Sequence, residues 1–495
     1  MNALSSPMVS VVVPAYNASK FLAETLDSVL LETYSPLEVI VVNDGSKDDT
    51  LKIATDYALR DTRVVVIDQP NGGVCRARNH GIQKAKGKYI LPVDSDDILL
   101  PGFIEWAVLV MEKDAQMKAV VPKAEFFGAR TGPWSLKPFS KKLLARKNMI
   151  PATALYRKID WERCGGYYEG LQAREDWEFW ISVLKNGGRV CTSPQLALRY
   201  RIHPESKRTA DRKLKKRVID ALNERHPEFF QRELGGPLRY NRTWSECLNT
   251  IHRLLYPSHL VLHDDYKPFC DFFKALPSIF KTSRGEIIYN RRNQLRRISY
   301  AGKEFVVKSY HKPHLINQLA YGLIRPTKAR RSYEYAMLLR SKGIGSPMPV
   351  AHYTERFLGL FLGRSYYVSE LSECPYTYND IISGRFNQED ETKILKAIAL
   401  ITARMHDEGM VHRDYSRGNI LFGKEPNGEW HVQLIDLNRI RFHKVGVEEG
   451  CRNFAERLPA TDSQRYLMAE TYAHARGFNA SVCYELMCKH NKEKD

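Results

Sequence analysis

The sequence predicts two successive folds: an α/β domain on a mostly parallel, Rossmann-like sheet, then an α+β domain of two lobes. Three observations predict this. Between residue 9 and about residue 122, short β-branched runs alternate with helical stretches at the spacing of βαβ units. From residue 257 strands come first and helices after. The chain is also 495 residues long, more than a single hydrophobic core supports.

The elements follow in order. SVVV (residues 10–13), LEVIVV (37–42), RVVVI (63–67) and KYILPV (88–93) read as strands. Residues 20–31, 48–59 and 74–84 carry helical periodicity between them. Near residue 205 the composition changes: Lys207, Arg208, Arg212, Lys213, Lys215, Lys216 and Arg217 cluster ahead of a polar helical stretch. The expected domains are therefore 7–205, a basic helical linker or extension over 206–256, and 257–495. In the last of these, residues 286–289, 295–299 and 304–308 read as antiparallel strands. A helix over 328–340 and a strand over 366–370 follow, and the remainder reads as largely helical.

Bulk composition narrows the partners. A hydrophobic fraction of 43% with 27% charged residues belongs to a folded, soluble protein. The formal net charge of +18 calls for anionic partners. The nine cysteines form no C-x-x-C, so reduced thiols in a cytoplasm are expected, not a disulfide framework or a zinc knuckle. No apolar run approaches membrane-spanning length and no signal peptide is legible, so the expected location is cytoplasmic. No nucleic-acid-binding module accompanies the charge, and a nucleic-acid partner is not expected.

In an open α/β sheet, ligands collect at strand ends. Here those ends carry PAYN (14–17), NDGS (43–46) and DSDD (94–97). Asp44 is suited to accept a hydrogen bond from a base or ribose. Asp94, Asp96 and Asp97 offer hard oxygen ligands to a divalent cation, which would neutralise a diphosphate leaving group. Neither G-x-x-x-x-G-K-S/T nor G-x-G-x-x-G occurs, which disfavours P-loop and dinucleotide readings. Glu175 and Asp176 open an amphipathic stretch with Trp177 and Trp180. At a helix N-terminus Asp176 is expected to stay ionised at neutral pH and to deprotonate an acceptor hydroxyl. His203 is a late candidate to ligate metal or touch a diphosphate.

The ordered set VVPAYN (12–17), VVNDGS (41–46), ARN (77–79), VDSDD (93–97), EDW (175–177) and His203 resembles the family 2 glycosyltransferases of the GT-A fold. The resemblance implies inverting transfer from a nucleotide-sugar donor with Mn²⁺ or Mg²⁺. It puts Pro14, Tyr16, Asn17, Asp44 and Arg78 on the donor nucleotide, and Asp94 and Asp96 on the metal. Asp97 and His203 are further ligand candidates, and Asp176 is the base.

The C-terminal half carries VHRDYSRGNIL (411–421), which fits H-R-D-x-x-x-x-N. In that pattern Asp414 takes the proton from an attacking hydroxyl and Asn419 holds Mg²⁺. Asp436, after the apolar run 432–435, is expected as a second metal ligand. Lys308, ending FVVK (305–308), is expected to steady the phosphates of ATP, with Glu334 as its pairing helix carboxylate. Two departures stand out: YNRRN (289–293) replaces a Gly-rich loop, and D-F-G is D-L-N (436–438). The domain is protein-kinase-like but resembles the lipopolysaccharide kinases that phosphorylate Kdo or heptose. The matching segments are SHLVL (258–262), KSY (308–310), KARRSY (328–333), GIGSP (343–347), HRD (412–414), IDLNR (435–439) and CRNF (451–454).

Together these predict a bifunctional cell-envelope enzyme: a glycosyltransferase fused to a kinase of an inner-core sugar. Its co-substrates would be a nucleotide-sugar and ATP with Mg²⁺, and its acceptor an anionic glycolipid or lipopolysaccharide precursor. Peripheral contact with the inner face of the cytoplasmic membrane is part of that expectation. The alternatives are a kinase domain acting on a protein or another small molecule, or an inactive domain that binds glycan.

Overall fold

The computed structural model describes residues 6–171, 173–203 and 212–490. It divides into two compact units, Met1–Asn249 and Thr250–Asp495. The first is built from β1 (Val9–Ala15), α1 (Leu22–Leu30), β2 (Leu37–Asp44), α2 (Thr50–Arg60), β3 (Val64–Gln69), α3 (Val74–Lys84) and β4 (Tyr89–Pro92). These strands form a sheet in the order β3-β2-β1-β4, all parallel, with Tyr156–Arg157 antiparallel at the β4 edge. Because parallel strands all end at one edge, the loops after β1, β2 and β4 converge there.

Both faces of β1 are covered, which is why its sequence is a near-continuous apolar run. Val9, Val11 and Val13 pack with Leu22, Leu26 and Phe103. Val12 joins the opposite cluster with Ile40, Trp177 and Trp180. Gly81 lets α3 lie directly on the sheet: a Cβ there would come within 2.6 Å of Val12 Cγ1. A second sheet runs in the order Ile98–Leu99, Arg189–Ile202, Met117–Gly128, Gly132–Trp134.

The basic stretch expected as a linker or extension folds onto the first unit. Lys207 and Arg208 lie outside the described residues. Helices Arg212–Arg225 and Pro227–Leu234 deliver Leu222, Phe229 and Phe230, all 0% exposed, to the cluster around Trp177 and Trp180. Fully buried Glu178 fastens them to helix Glu175–Leu184, pairing with Arg225 Nε at 2.6 Å and His226 Nε2 at 2.9 Å. The charge pattern marks the exposed face, and the apolar residues between the charges mark the buried one.

The second unit opens with a six-stranded antiparallel sheet in the order 258–262, 349–357, 361–370, 303–310, 293–300, 286–290. Helix Lys328–Ser341 packs on it. The second lobe centres on helices Gln388–Asp407, Val447–Ala455, Asp462–Arg476 and Ala480–His490. It is less purely helical than the sequence suggests: strands 376–377, 420–424 and 430–434 form one small sheet, and 410–412 with 440–442 another. All nine cysteines are free.

Replacing Phe230 with Ala is expected to cost about 3–5 kcal/mol, because the vacated space is walled by the core of the first unit. Thermal denaturation of the full chain should show an earlier first transition, whereas a true linker residue would leave it unmoved.

Candidate functional sites

In the first unit the three strand-end loops meet as the topology requires. Asn17 Oδ1 accepts from Lys47 N at 2.9 Å, and Ser46 Oγ accepts from Asn17 N at 3.0 Å, so the loops after β1 and β2 are joined. Asn17 holds φ 49°, a left-handed conformation that asparagine tolerates. Pro14 is buried in β1 and Tyr16 is half exposed beside it. Asp44 is buried, and both its oxygens are already engaged. Gln69 Nε2 (2.7 Å) and Gly72 N (2.8 Å) donate to one, and Gly73 N (2.8 Å) to the other. Its charge orders the 69–73 loop, so a base or ribose reaching that strand end meets the loop along with the carboxylate.

Arg78 is the link between the acidic loop after β4 and helix Glu175–Leu184. Its side chain is 3% exposed, with Asp94 Oδ1 at 2.7 Å from Nη2 and Glu175 Oε1 at 3.0 Å from Nη1. The Tyr167 ring lies 5.5 Å from its guanidinium carbon. Asp94, Arg78, Glu175 and Asp176 thereby line one cleft of about 700 Å³, which Trp134, Lys137, Lys147 and Tyr200 also border.

Asp176 differs from expectation. It does not keep an ordinary carboxylate pKa at the helix N-terminus. Burial and the adjacent Glu175 charge push it up to about 7, against the opposing effects of Arg78, the Trp177 N–H and the Asn148 amide. Asn148 Nδ2 donates to Asp176 Oδ2 at 2.8 Å. A carboxylate poised near neutrality is well matched to general-base work.

The three aspartates of DSDD face three ways. Asp94 turns to Arg78. Asp96 Oδ2 lies 2.6 Å from His203 Nε2, carried there at the end of strand Arg189–Ile202. Asp97 is 1% exposed; its Oδ1 accepts from Arg201 N at 2.9 Å, and its Oδ2 is buried without a partner. Asp97 thus ties the turn to the second sheet instead of opening toward the cleft. Among the described residues no group of three or more His, Cys, Asp or Glu side chains is disposed as it stands to hold a metal. The chemistry of the set still suits a divalent cation. Burial and the nearby Asp94 charge raise the pKa of Asp96, His203 opposes that shift, and oxygen plus imidazole donors lie side by side.

In the second unit the H-R-D segment and the strand before Asp436 are pinned together. Buried His412, kept neutral by burial, accepts from Asp414 N at Nδ1 (3.2 Å) and donates from Nε2 to the Ile435 carbonyl (2.9 Å). Asn419 donates to the Asp414 carbonyl at 2.8 Å, and its own carbonyl accepts from Ile435 N at 3.0 Å. Asp414, Asn419 and Asp436 therefore stand at one end of the 420–434 hairpin. Asp436 sits at φ 57° and receives Lys308 Nζ at 2.6 Å and Asn438 Nδ2 at 2.5 Å.

The expected Lys308–Glu334 pair does not form. Glu334 lies on the exposed face of its helix and pairs with Arg330 one turn back, at 2.7 Å. The face toward the sheet carries Ser332, hydrogen-bonded to Tyr310 at 2.7 Å. Lys308 turns to Asp436 instead. Lys328 loses basicity through burial and the neighbouring charges of Arg439, Arg331 and Lys308, so several cations gather near Asp436. Such a cluster suits polyphosphate. Sequence reasoning missed Arg457, whose Nη1 lies 2.6 Å from Asp414 Oδ1, and Asn453, which donates to the His412 carbonyl at 3.0 Å. Asn453 belongs to the CRNF segment; Arg457 had no local signal.

The glycosyl transferase family 2 profile matches residues 10–167, and the lipopolysaccharide kinase (Kdo/WaaP) profile matches residues 290–456. The uncharacterized glycosyltransferase EpsJ of Bacillus subtilis (strain 168) is 33% identical over 215 residues, 40% of this chain and 62% of that protein. Glycosyltransferase GlyG of Streptococcus pneumoniae serotype 4 is 46% identical over 114 residues, 23% of this chain and 38% of its own length. The chain thus spans less than two thirds of the length of these relatives. Among solved structures, S. aureus TarS 1-349 in complex with UDP-GlcNAc is similar at 20% identity and TM-score 0.40, over 55% of this chain and 81% of that one. WaaP in complex with acyl carrier protein is similar at 17% identity and TM-score 0.34, over 47% and 98%. Among the described residues no helix is long and apolar enough to cross a membrane. The chain joins a domain of glycosyl transferase family 2, over residues 10–167, to a domain of the lipopolysaccharide kinase (Kdo/WaaP) family, over residues 290–456.

Proposed function

We propose that the protein is a bifunctional cell-envelope glycan enzyme. The first unit would transfer a sugar, with inversion, from a nucleotide-sugar to a lipid-linked or core saccharide. The second would phosphorylate a Kdo or heptose hydroxyl of the inner core from ATP. The observation that carries the first activity is the Arg78 bridge, which sets the acidic loop and the base on one cleft. On this reading Asp176 draws the proton from the acceptor hydroxyl, and Asn148 aims its carboxylate. Asp96 and His203 would hold Mn²⁺ or Mg²⁺, with Asp94 beside them. That cation supplies charge neutralisation for the departing diphosphate. Arg78 and Tyr16 border the donor path, and Asp44 keeps the loop beneath the nucleotide in shape. Inversion needs one base and no protein nucleophile.

For the second activity, Asp414 would take the proton of the sugar hydroxyl while Arg457 holds its other contact. Asn419 and Asp436 would hold Mg²⁺, and Lys308 would move from Asp436 to the ATP phosphates. The anionic product of one site being a substrate class for the other gives the fusion its sense, since tethering raises the local concentration of the shared intermediate. A cytoplasmic enzyme working at the inner membrane face fits the net charge of +18.

Three outcomes test this. Metal-dependent turnover of UDP-, GDP-, CMP- or dTDP-sugars by the full chain should fall about 100-fold or more in Asp96→Ala and Asp176→Asn; full activity in either removes that residue's role. Phosphorylation of a Kdo- or heptose-containing saccharide should be lost in Asp414→Ala while sugar transfer persists, and labelling of protein but no saccharide would favour the rival substrate.

The third outcome concerns pH. Transfer should rise with pH to a plateau above about 7, as Asp176 loses its proton. Stability runs the other way. A carboxyl whose pKa is raised on folding penalises the native state increasingly as pH climbs from about 4 through 7, and fully above it. Asp176→Asn should therefore gain melting temperature over the wild type across that window and show no gain in acid. A gain that is constant with pH would contradict the raised pKa.

A further inference from the structure

Helix Leu315–Leu323, between strand Lys303–Tyr310 and helix Lys328–Ser341, is built inside out. Its inner side rests on the 361–370 strand through Gly322, where a Cβ would come within 1.7 Å of the Leu360 carbonyl oxygen. Arg356 Nε donates to the Gly322 carbonyl at 3.1 Å and fixes the same seat. Ile316, Leu319 and Leu323 follow one another at i, i+3 and i+7 and are exposed along the outer side. Leu315 is 71% exposed, Ile316 85%, and Ile324 just beyond the helix 85%. A helix on a soluble protein normally turns such a stripe inward. The apolar area continues onto the neighbouring hairpin tip, where Leu358 and Leu360 are also exposed. Leu358 N donates to the Leu255 carbonyl at 2.7 Å, which brings exposed Leu254 and Leu255 to its rim.

Charge says what covers this surface. Between residues 305 and 333 there are six lysines and arginines and no aspartate or glutamate. Lys312 and Arg325 bracket twelve residues that contain neither sign of charge, apart from the titratable His314. Twelve residues cannot span a bilayer. An exposed apolar stripe with cations at both ends is the pattern of a helix lying in a lipid interface, apolar face down and basic groups level with anionic headgroups. We propose that helix Leu315–Leu323 and the Leu358–Leu360 tip form a docking surface for an anionic bilayer. The helix directly follows the strand that carries Lys308, so docking holds the phosphoryl-transfer site of the second unit close to the membrane plane. The binding itself is independent of the catalytic reading.

The test is flotation of the full chain with vesicles of phosphatidylglycerol and phosphatidylethanolamine. Binding is expected there, weaker with phosphatidylcholine alone or in about 0.5 M salt. It should fall about tenfold or more in Ile316→Asp/Ile324→Asp. Both side chains point to solvent, so melting should be unchanged. In a second measurement, Ile316→Trp should add fluorescence that brominated phosphatidylglycerol quenches. Absence of wild-type binding, equal binding by the double variant, indifference to lipid charge, or an unquenched Trp would each overturn the proposal. So would retention on an acidic carrier protein with no affinity for vesicles. Phosphorylation of a soluble, deacylated saccharide by the double variant reads catalysis separately, so failure of docking and failure of the kinase reading remain distinct.

Discussion

A guanidinium removed from water between two carboxylates organises the first unit. Arg78 reaches Asp94 on one side and Glu175 on the other, and its own exposure is only 3%. Left alone, Glu175 and Asp176 would face the DSDD loop as like charges across a partly dry cleft. Removing one member of such a group leaves the others buried and unopposed, which is far more damaging than the net worth of the pairing. The bridge also spans three sequence segments, since α3, the loop after β4 and helix Glu175–Leu184 each supply one group. The geometry of the cleft is therefore set by charge balance as much as by the sheet beneath it.

The two units solve the same problem with different partners. Each holds a candidate base aspartate through a group distant in sequence, Asn148 for Asp176 and Arg457 for Asp414. A neutral amide orients a carboxylate without cancelling the charge of its neighbour, so burial and the Glu175 charge still drive the Asp176 pKa upward. A guanidinium brings a full positive charge along with its direction. In the second unit, orientation of the loop is carried further back by buried His412 and by Asn453, which also meets His406 at 3.0 Å. That chain of polar contacts joins helices 388–407 and 447–455 to the H-R-D loop.

Much of this was legible in order and spacing. Parallel strands with covered faces announce themselves as uninterrupted valine and isoleucine, and their polar ends can only gather at one edge. The Asp414, Asn419 and Asp436 grouping was readable from the H-R-D-x-x-x-x-N pattern and the apolar run before Asp436, whereas the hairpin that sets it lay in a stretch that reads as largely helical. What the sequence hid depends on which way a side chain turns. Glu334 has Arg330 one helical turn away, and that local pair competes with a distant lysine. Asp44 and Asp97 look like ligands in a string of letters, yet backbone N–H groups claim them. The ionisation of Asp176 departs from what its place at a helix N-terminus implies, because a helix dipole worth under about 1 kcal/mol is outweighed by burial beside a second carboxylate. Arg457 stands just past the CRNF segment but 43 residues from Asp414, and only the folded chain brings the two together.

The three hydrogen bonds spent on Asp44 have an implication for kinetics. The glycine pair at 72–73 would otherwise sample many conformations, and glycines lose the most entropy when stilled. With both of their N–H groups anchored to one buried carboxylate, that loss is met when the chain folds instead of when a ligand arrives. A small molecule entering beside β2 would then find a rigid floor, and its association would be governed by encounter and shape, without a wait for the loop to close.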